Sequence, residues 1–207
     1  YQSGSGTNLS LTLFVAFNPA FAGAKNIYSG STDNGGNRSA FLRLGTWTVP
    51  ATAPALAVNS VTPAGASGPS NPLTFVFSDP SVFADIAGAQ VIVNSTLNGS
   101  ASCYIQFART GLIALAGDDG VSTTTATLGQ PAFLQNSQCI VNAAASYQAG
   151  SSNYLSLTLF VTMKTAGAKN VYASVGSNGG ATSGFARVGT WNVTSTAALT
   201  PVAVSPG

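Results

Sequence analysis

The sequence contains no histidine and no glutamate. Its only carboxylate side chains are five aspartates, Asp33, Asp79, Asp85, Asp118 and Asp119. With seven lysines and arginines, 12 of 207 residues are charged, against roughly a quarter in an ordinary globular chain. Each shortage excludes a class of function. Serine and threonine are plentiful, but a hydroxyl nucleophile needs a base and a group to orient that base. Neither imidazole nor glutamate is present, and lysine becomes a base only when desolvated. The expectation is that the chain is not an enzyme. A net charge of +2 from scattered cations cannot follow a phosphate backbone, so nucleic acid is not an expected partner. No apolar run reaches the roughly 18 residues that span a bilayer. The strongest run, Leu9 to Phe17, is interrupted by Ser10 and Thr12. The opening Tyr1-Gln2-Ser3-Gly4 lacks the basic and apolar start of a signal peptide, which suggests a mature chain or one cut from something longer.

What is present is glycine, proline, serine, threonine, asparagine and alanine where a charged surface would be. A surface with so little charge offers little repulsion between copies and favours association. The two cysteines, Cys103 and Cys139, each sit in a short strand-like stretch. They read as one disulfide, which implies an extracellular, secreted or cell-surface location. Closing a loop of 36 residues contributes roughly 3 to 4 kcal/mol in the chain-entropy account. Two thiols without histidine cannot close a zinc shell.

An internal repeat organises the chain. Tyr1 to Val49 recurs as Tyr147 to Val193, with 27 identities in 47 aligned positions. Leu9-Ser10-Leu11-Thr12-Leu13-Phe14-Val15 matches Leu155-Ser156-Leu157-Thr158-Leu159-Phe160-Val161. After a two-residue gap, Ala22 to Ile27 and Tyr28 match Ala166 to Val171 and Tyr172, and Gly45-Thr46-Trp47 matches Gly189-Thr190-Trp191. The expected organisation is therefore one complete unit at 56–193. Residues 1–49 are the final third of a preceding unit, 50–55 a Pro/Ala linker, and 194–207 a linker or the first strand of a following unit.

Period-2 alternation of apolar residues predicts a half-buried strand over 9–17 and again over 155–163. Further strands are expected at 25–31, 40–49, 56–62, 72–78, 89–95, 101–109, 111–116, 138–143, 169–175 and 184–193. Turn signals at Asn34-Gly35, Asn98-Gly99, Asp119-Gly120 and Asn178-Gly179 separate them. A short helical turn is expected between Ser81 and Ala87. Many strands without a long helix indicate an all-β sandwich or barrel. Trp47, Trp191, Tyr28 and Tyr172 are read as core anchors, the tyrosines as corner residues.

Phe77-Ser78-Asp79-Pro80, Gly167-Ala168-Lys169-Asn170-Val171-Tyr172, Ser177-Asn178-Gly179-Gly180 and Gly189-Thr190-Trp191 together resemble bacterial secreted immunoglobulin-like or fibronectin-III-like tandem repeats. The resemblance covers both the complete and the partial unit. It implies an immunoglobulin-like β-sandwich serving as spacer, stalk or adhesive module. At 56–193 the unit is longer than a minimal sandwich, so extra strands or an insertion are expected around 96–137.

Candidate chemistry is sparse. Asp118 and Asp119, with Asp79, could ligate calcium, which wants six to eight oxygens; otherwise they are polar turns. No other cofactor is expected. Lys25 and Lys169 share a repeat position, each followed by Asn, and could form an isopeptide crosslink or lie solvated. Five Asn-X-Ser/Thr triplets, at Asn8, Asn37, Asn94, Asn98 and Asn192, allow for glycans. Tyr104, Phe107, Phe14 and Phe160 are candidate ligand-stacking or packing aromatics. The leading expectation is a fibre or filament protein whose partners are copies of itself or adjacent repeats, joined by strand complementation or end-to-end stacking. The alternatives are an adhesin or carbohydrate-binding module, and a passive spacer in a secreted hydrolase.

Overall fold

Alternating apolar and small polar side chains make strands of nearly every apolar stretch. A computed structural model of the chain describes residues 2–5, 8–11, 13, 15, 17, 21–49 and 55–194. In chain order the strands are β1 (Gln2–Ser5), β2 (Asn8–Leu11), β3 (Gly23–Ser29), β4 (Leu42–Val49), β5 (Ala57–Thr62), β6 (Gly65–Ser67), β7 (Ser70–Ser78) and β8 (Ile86–Asn94). They continue as β9 (Cys103–Ala108), β10 (Leu112–Ala116), β11 (Thr123–Thr127), β12 (Phe133–Gln135), β13 (Cys139–Ser151), β14 (Tyr154–Met163), β15 (Gly167–Ser177) and β16 (Ala186–Val193). A 3-10 turn at Phe83–Asp85 sits inside the expected helical stretch.

From β5 onward the strands form two sheets packed as an immunoglobulin-like sandwich. One has seven strands in the order β11-β10-β9-β8-β15-β16-β6, the other five in the order β12-β13-β14-β7-β5. Pairing is antiparallel except between β16 and β6. The inward residues of both sheets meet in a single core. Leu73, Phe75 and Phe77 of β7 and Leu155, Leu157 and Leu159 of β14 face Val91, Ile105, Val171 and Trp191 there. The rings of Phe75 and Phe77 stack at 6.1 Å between centroids. Packed, non-directional burial of this kind is the main stabilising term in the fold.

Cys103 of β9 and Cys139 of β13 form the disulfide, with Cα atoms 5.6 Å apart. It joins one sheet to the other through the core, and both residues are fully buried. Asn136 closes the loops around it. Its amide donates to the Ser102 and Ala116 carbonyls at 2.8 and 2.9 Å, and its oxygen accepts from the backbone of Gln138 and Cys139. At the opposite end of the β13–β14 hairpin from Cys139, Asn153 donates to the carbonyls of Asp79, Pro80 and Ser81, tying the end of β7 to the β13–β14 turn.

Several strand expectations need correcting. The strand expected at 138–143 runs to Ser151, with a register shift between Asn142 and Tyr147. β1, β6, β11 and β12 carry no alternating apolar signal, because each is short and lies at a sheet edge or in a two-stranded hairpin. β11 and β12 are the extra strands expected within 96–137. Of the strand expected at 9–17, the structure shows Asn8–Leu11; several of its residues, Phe14 among them, lie outside the described residues, as do 50–54 and 195–207.

Candidate interaction surface

The sequence repeat is a structural repeat in backbone detail. β1 pairs β2 with Gln2 opposite Leu11 and Ser5 opposite Asn8; the end of β13 pairs β14 with Gln148 opposite Leu157 and Ser151 opposite Tyr154. β3 pairs β4 with Lys25 opposite Trp47, and β15 pairs β16 with Lys169 opposite Trp191. Both of the latter hairpins carry a register shift at the same place, after Ile27 and after Val171. Their turns match bond for bond. Gly36 N donates to Asp33 O and Gly180 N to Ser177 O, with both glycines at φ +83°. Only glycine adopts that left-handed conformation without strain. The Ser39 and Ser183 hydroxyls each accept from a backbone N–H, of Ser31 and of Val175 respectively.

The surroundings differ completely. β14 is flanked by β7, β15 by β8, and β16 by β6. Among the described residues, β1–β2 and β3–β4 are separate two-stranded sheets with no third strand on either. The same leucines therefore have opposite fates. Leu9, Leu11 and Leu13 are 72, 60 and 67% exposed, while Leu155, Leu157 and Leu159 are essentially buried. Trp191 is 0% exposed and donates its Nε1–H to the Gly68 carbonyl at 2.7 Å; Trp47 is 42% exposed. Ile27, Tyr28, Leu42, Leu44 and Phe41 are exposed as well, and Val49 is an exception, buried like Val193. The Phe17 ring meets Trp47 edge-on at 5.1 Å and stacks on Phe21 at 5.4 Å. Lys25 Nζ lies 4.1 Å from the Phe21 centroid, a cation–π contact. Exposed apolar side chains in this number make the two hairpins a candidate interaction surface.

Of the expected anchors, only Trp191 is in the core. Trp47 and Tyr28 are exposed because, among the described residues, their hairpin has no covering sheet. Tyr172 lies on the outer face of β15, since its neighbours Val171 and Ala173 point inward, and its hydroxyl accepts from Asn170 at 3.2 Å. Among the aromatics, Phe107 shares the inward face of β9 with Cys103 and Ile105 and is buried, so its ring packs in the core. Strand parity, counted from the inward Cys103, assigns it there. Tyr104 points outward, and burial of its ring raises the hydroxyl pKa. It donates to Gln90 at 2.8 Å. Beside it runs a groove of about 460 Å³ on the outer face of the seven-stranded sheet, with Gln90, Gln106 and Ser174 over a floor of Gly88, Ala114 and Gly176. Neither Gln90 nor Gln106 stands out in the sequence. Phe160 borders a smaller hollow of about 210 Å³ with Pro72 and Phe133.

The aspartates are used by their own loops. Asp118 accepts from Ser137 Oγ at 2.8 Å, and Asp119 from the Val121 and Ser122 backbone and the Ser122 hydroxyl. Those N–H donors, Val121 first, hold the Asp119 carboxyl below its usual pKa. The Asn37 side chain does the same for Asp33. Buried Asp79 accepts from Ser81 N and Val82 N at 2.8 and 3.3 Å, which sets up the 3-10 turn. Among the described residues no three His, Cys, Asp or Glu side chains converge as a metal site. Among the same residues, no helix is long and apolar enough to cross a membrane. No protein-family model matches the chain, and no curated protein matches it.

Proposed function

We propose that the chain is an extracellular structural protein, an array of immunoglobulin-like units that forms or decorates a cell-surface fibre. One observation carries the reading. The same pair of hairpins occurs twice among the described residues, once closed within the sandwich and once with its apolar side chains exposed, which supports a reading of units built to be joined through shared strands. The inter-sheet disulfide and the low surface charge suit an exported module under load. The open hairpins also present unpaired strand edges, the usual template for strand addition. The test is immunoelectron microscopy of source cells with an antibody against the 56–193 unit. Label along filaments or on the outer surface is expected. Label confined inside the cell, or dispersed monomers only, overturns the reading.

A second reading, an adhesin or carbohydrate-binding module, is favoured by the uncharged amide-lined groove beside Tyr104. It predicts glycan-array binding that disappears in Tyr104→Ala with the fold intact. Absence of binding by the unaltered protein removes it.

A further inference from the structure

We infer that the open face of the first two hairpins is the docking surface for a preceding unit of the same polypeptide, an acceptor segment with the pattern of residues 56–146. This rests on reading the chain as an array of such units and names what closes the open one. The covered copy serves as the template. In the complete unit, residues 56–146 supply every strand that flanks the closing hairpins: β6 beside β16, β8 beside β15, β7 beside β14. Carried across the repeat, Trp47 would stand beside a small residue, as Trp191 stands beside Ala66 in the parallel pair. Its indole N–H would reach a carbonyl placed like that of Gly68. Ile27 would face a valine, as Val171 faces Val93, and Leu9 and Leu11 would face phenylalanines, as Leu155 and Leu157 face Phe77 and Phe75.

Two observations select this occupant over a second copy of the chain. Each chain holds two sets of closing hairpins and one acceptor, and that acceptor is already closed by β14, β15 and β16. A second copy could take the open hairpins only by releasing its own, with no net gain in buried surface. Moreover, β1 corresponds to the last four residues of β13, a single strand that starts at Cys139. The acceptor strand and the hairpin are one continuous strand in the complete unit, so an acceptor of the same pattern would be covalently continuous with β1.

The experiment places residues 56–146 directly ahead of Tyr1 in the full chain, so that Ser146 joins Tyr1 as it joins Tyr147 in the complete unit. Hydrogen exchange is read with the added cysteine pair oxidised. The expected result is about 100-fold or greater slowing at the amides of β3 and β4, with β15 and β16 unchanged. In the extended chain, Trp47→Ala abolishes that slowing, whereas Trp47→Phe keeps most of it. Three results overturn the inference: unchanged exchange in β3 and β4, a protease-sensitive extension, or loss of protection in β15 and β16. An extended chain that protects β3 and β4 yet stays monomeric and filament-free leaves the inference standing and removes the fibre reading.

Discussion

The two tryptophans make a close comparison within one chain, because the flanking Gly-Thr-Trp sequence, the register and the backbone turn are the same while the cover differs. Trp191→Ala removes a side chain with no solvent exposure from the centre of the sandwich. Truncating a fully buried aromatic costs about 3–5 kcal/mol from lost transfer energy and the cavity left behind. The Gly68 carbonyl also loses its indole donor, which adds about 1 kcal/mol. For a domain of this size each kcal/mol lowers the melting temperature by roughly 2–4 °C, so a fall of roughly 8–24 °C is expected. Trp47→Ala touches no residue of the sandwich core and should shift its melting by less than about 2 °C. The assay is thermal unfolding followed by near-ultraviolet circular dichroism and tryptophan emission. The chain has two tryptophans, so each variant leaves a single reporter. Trp191 alone should emit blue and shift red on melting, while Trp47 alone should already emit red in the folded protein. Equal melting shifts in the two variants, or blue emission from Trp47, would refute the claim that the first copy is open.

Two further outcomes follow from the loops. Replacing Cys103 and Cys139 by serine should cost about 4 kcal/mol, as expected for a 36-residue separation, and should lower the denaturant midpoint; an unchanged midpoint means that the bond constrains nothing. Asp119 has a depressed pKa in the folded state, so its stabilisation is present above the ordinary value of 3.8 and is lost as pH falls through the lower folded value. Asp119→Ala should therefore melt below the unaltered protein at pH 7, with the gap narrowing as pH falls below 3.8; a gap of unchanged size at pH 2 disproves the linkage.

Much of the fold was legible because local rules dominate it. The alternation in Leu155 to Met163 and the turn at Asn178-Gly179 depend on neighbours in sequence, and the pairing of Cys103 with Cys139 follows because the chain holds two cysteines. What went unread depended on partners far away. Gly65-Ala66-Ser67 carries no strand signal, and it becomes a strand because small residues fit beside Trp191. Phe107 and Tyr172 were misplaced for a related reason. Aromatic identity says that a ring is large, and only strand parity and the opposing sheet say which way it points.

The amino-acid sequence determined the hairpins themselves: their registers, the shift after Ile27 and Val171, and the glycine turn at positions 36 and 180 recur because these are set by short-range sterics and hydrogen bonds. It could not determine whether Leu11 and Leu157, or Trp47 and Trp191, are wet or dry, because identical residues met both fates. That was decided by tertiary structure alone, since burial is a property of what stands opposite, and one copy of the hairpins has a second sheet across from it while the other, among the described residues, has none.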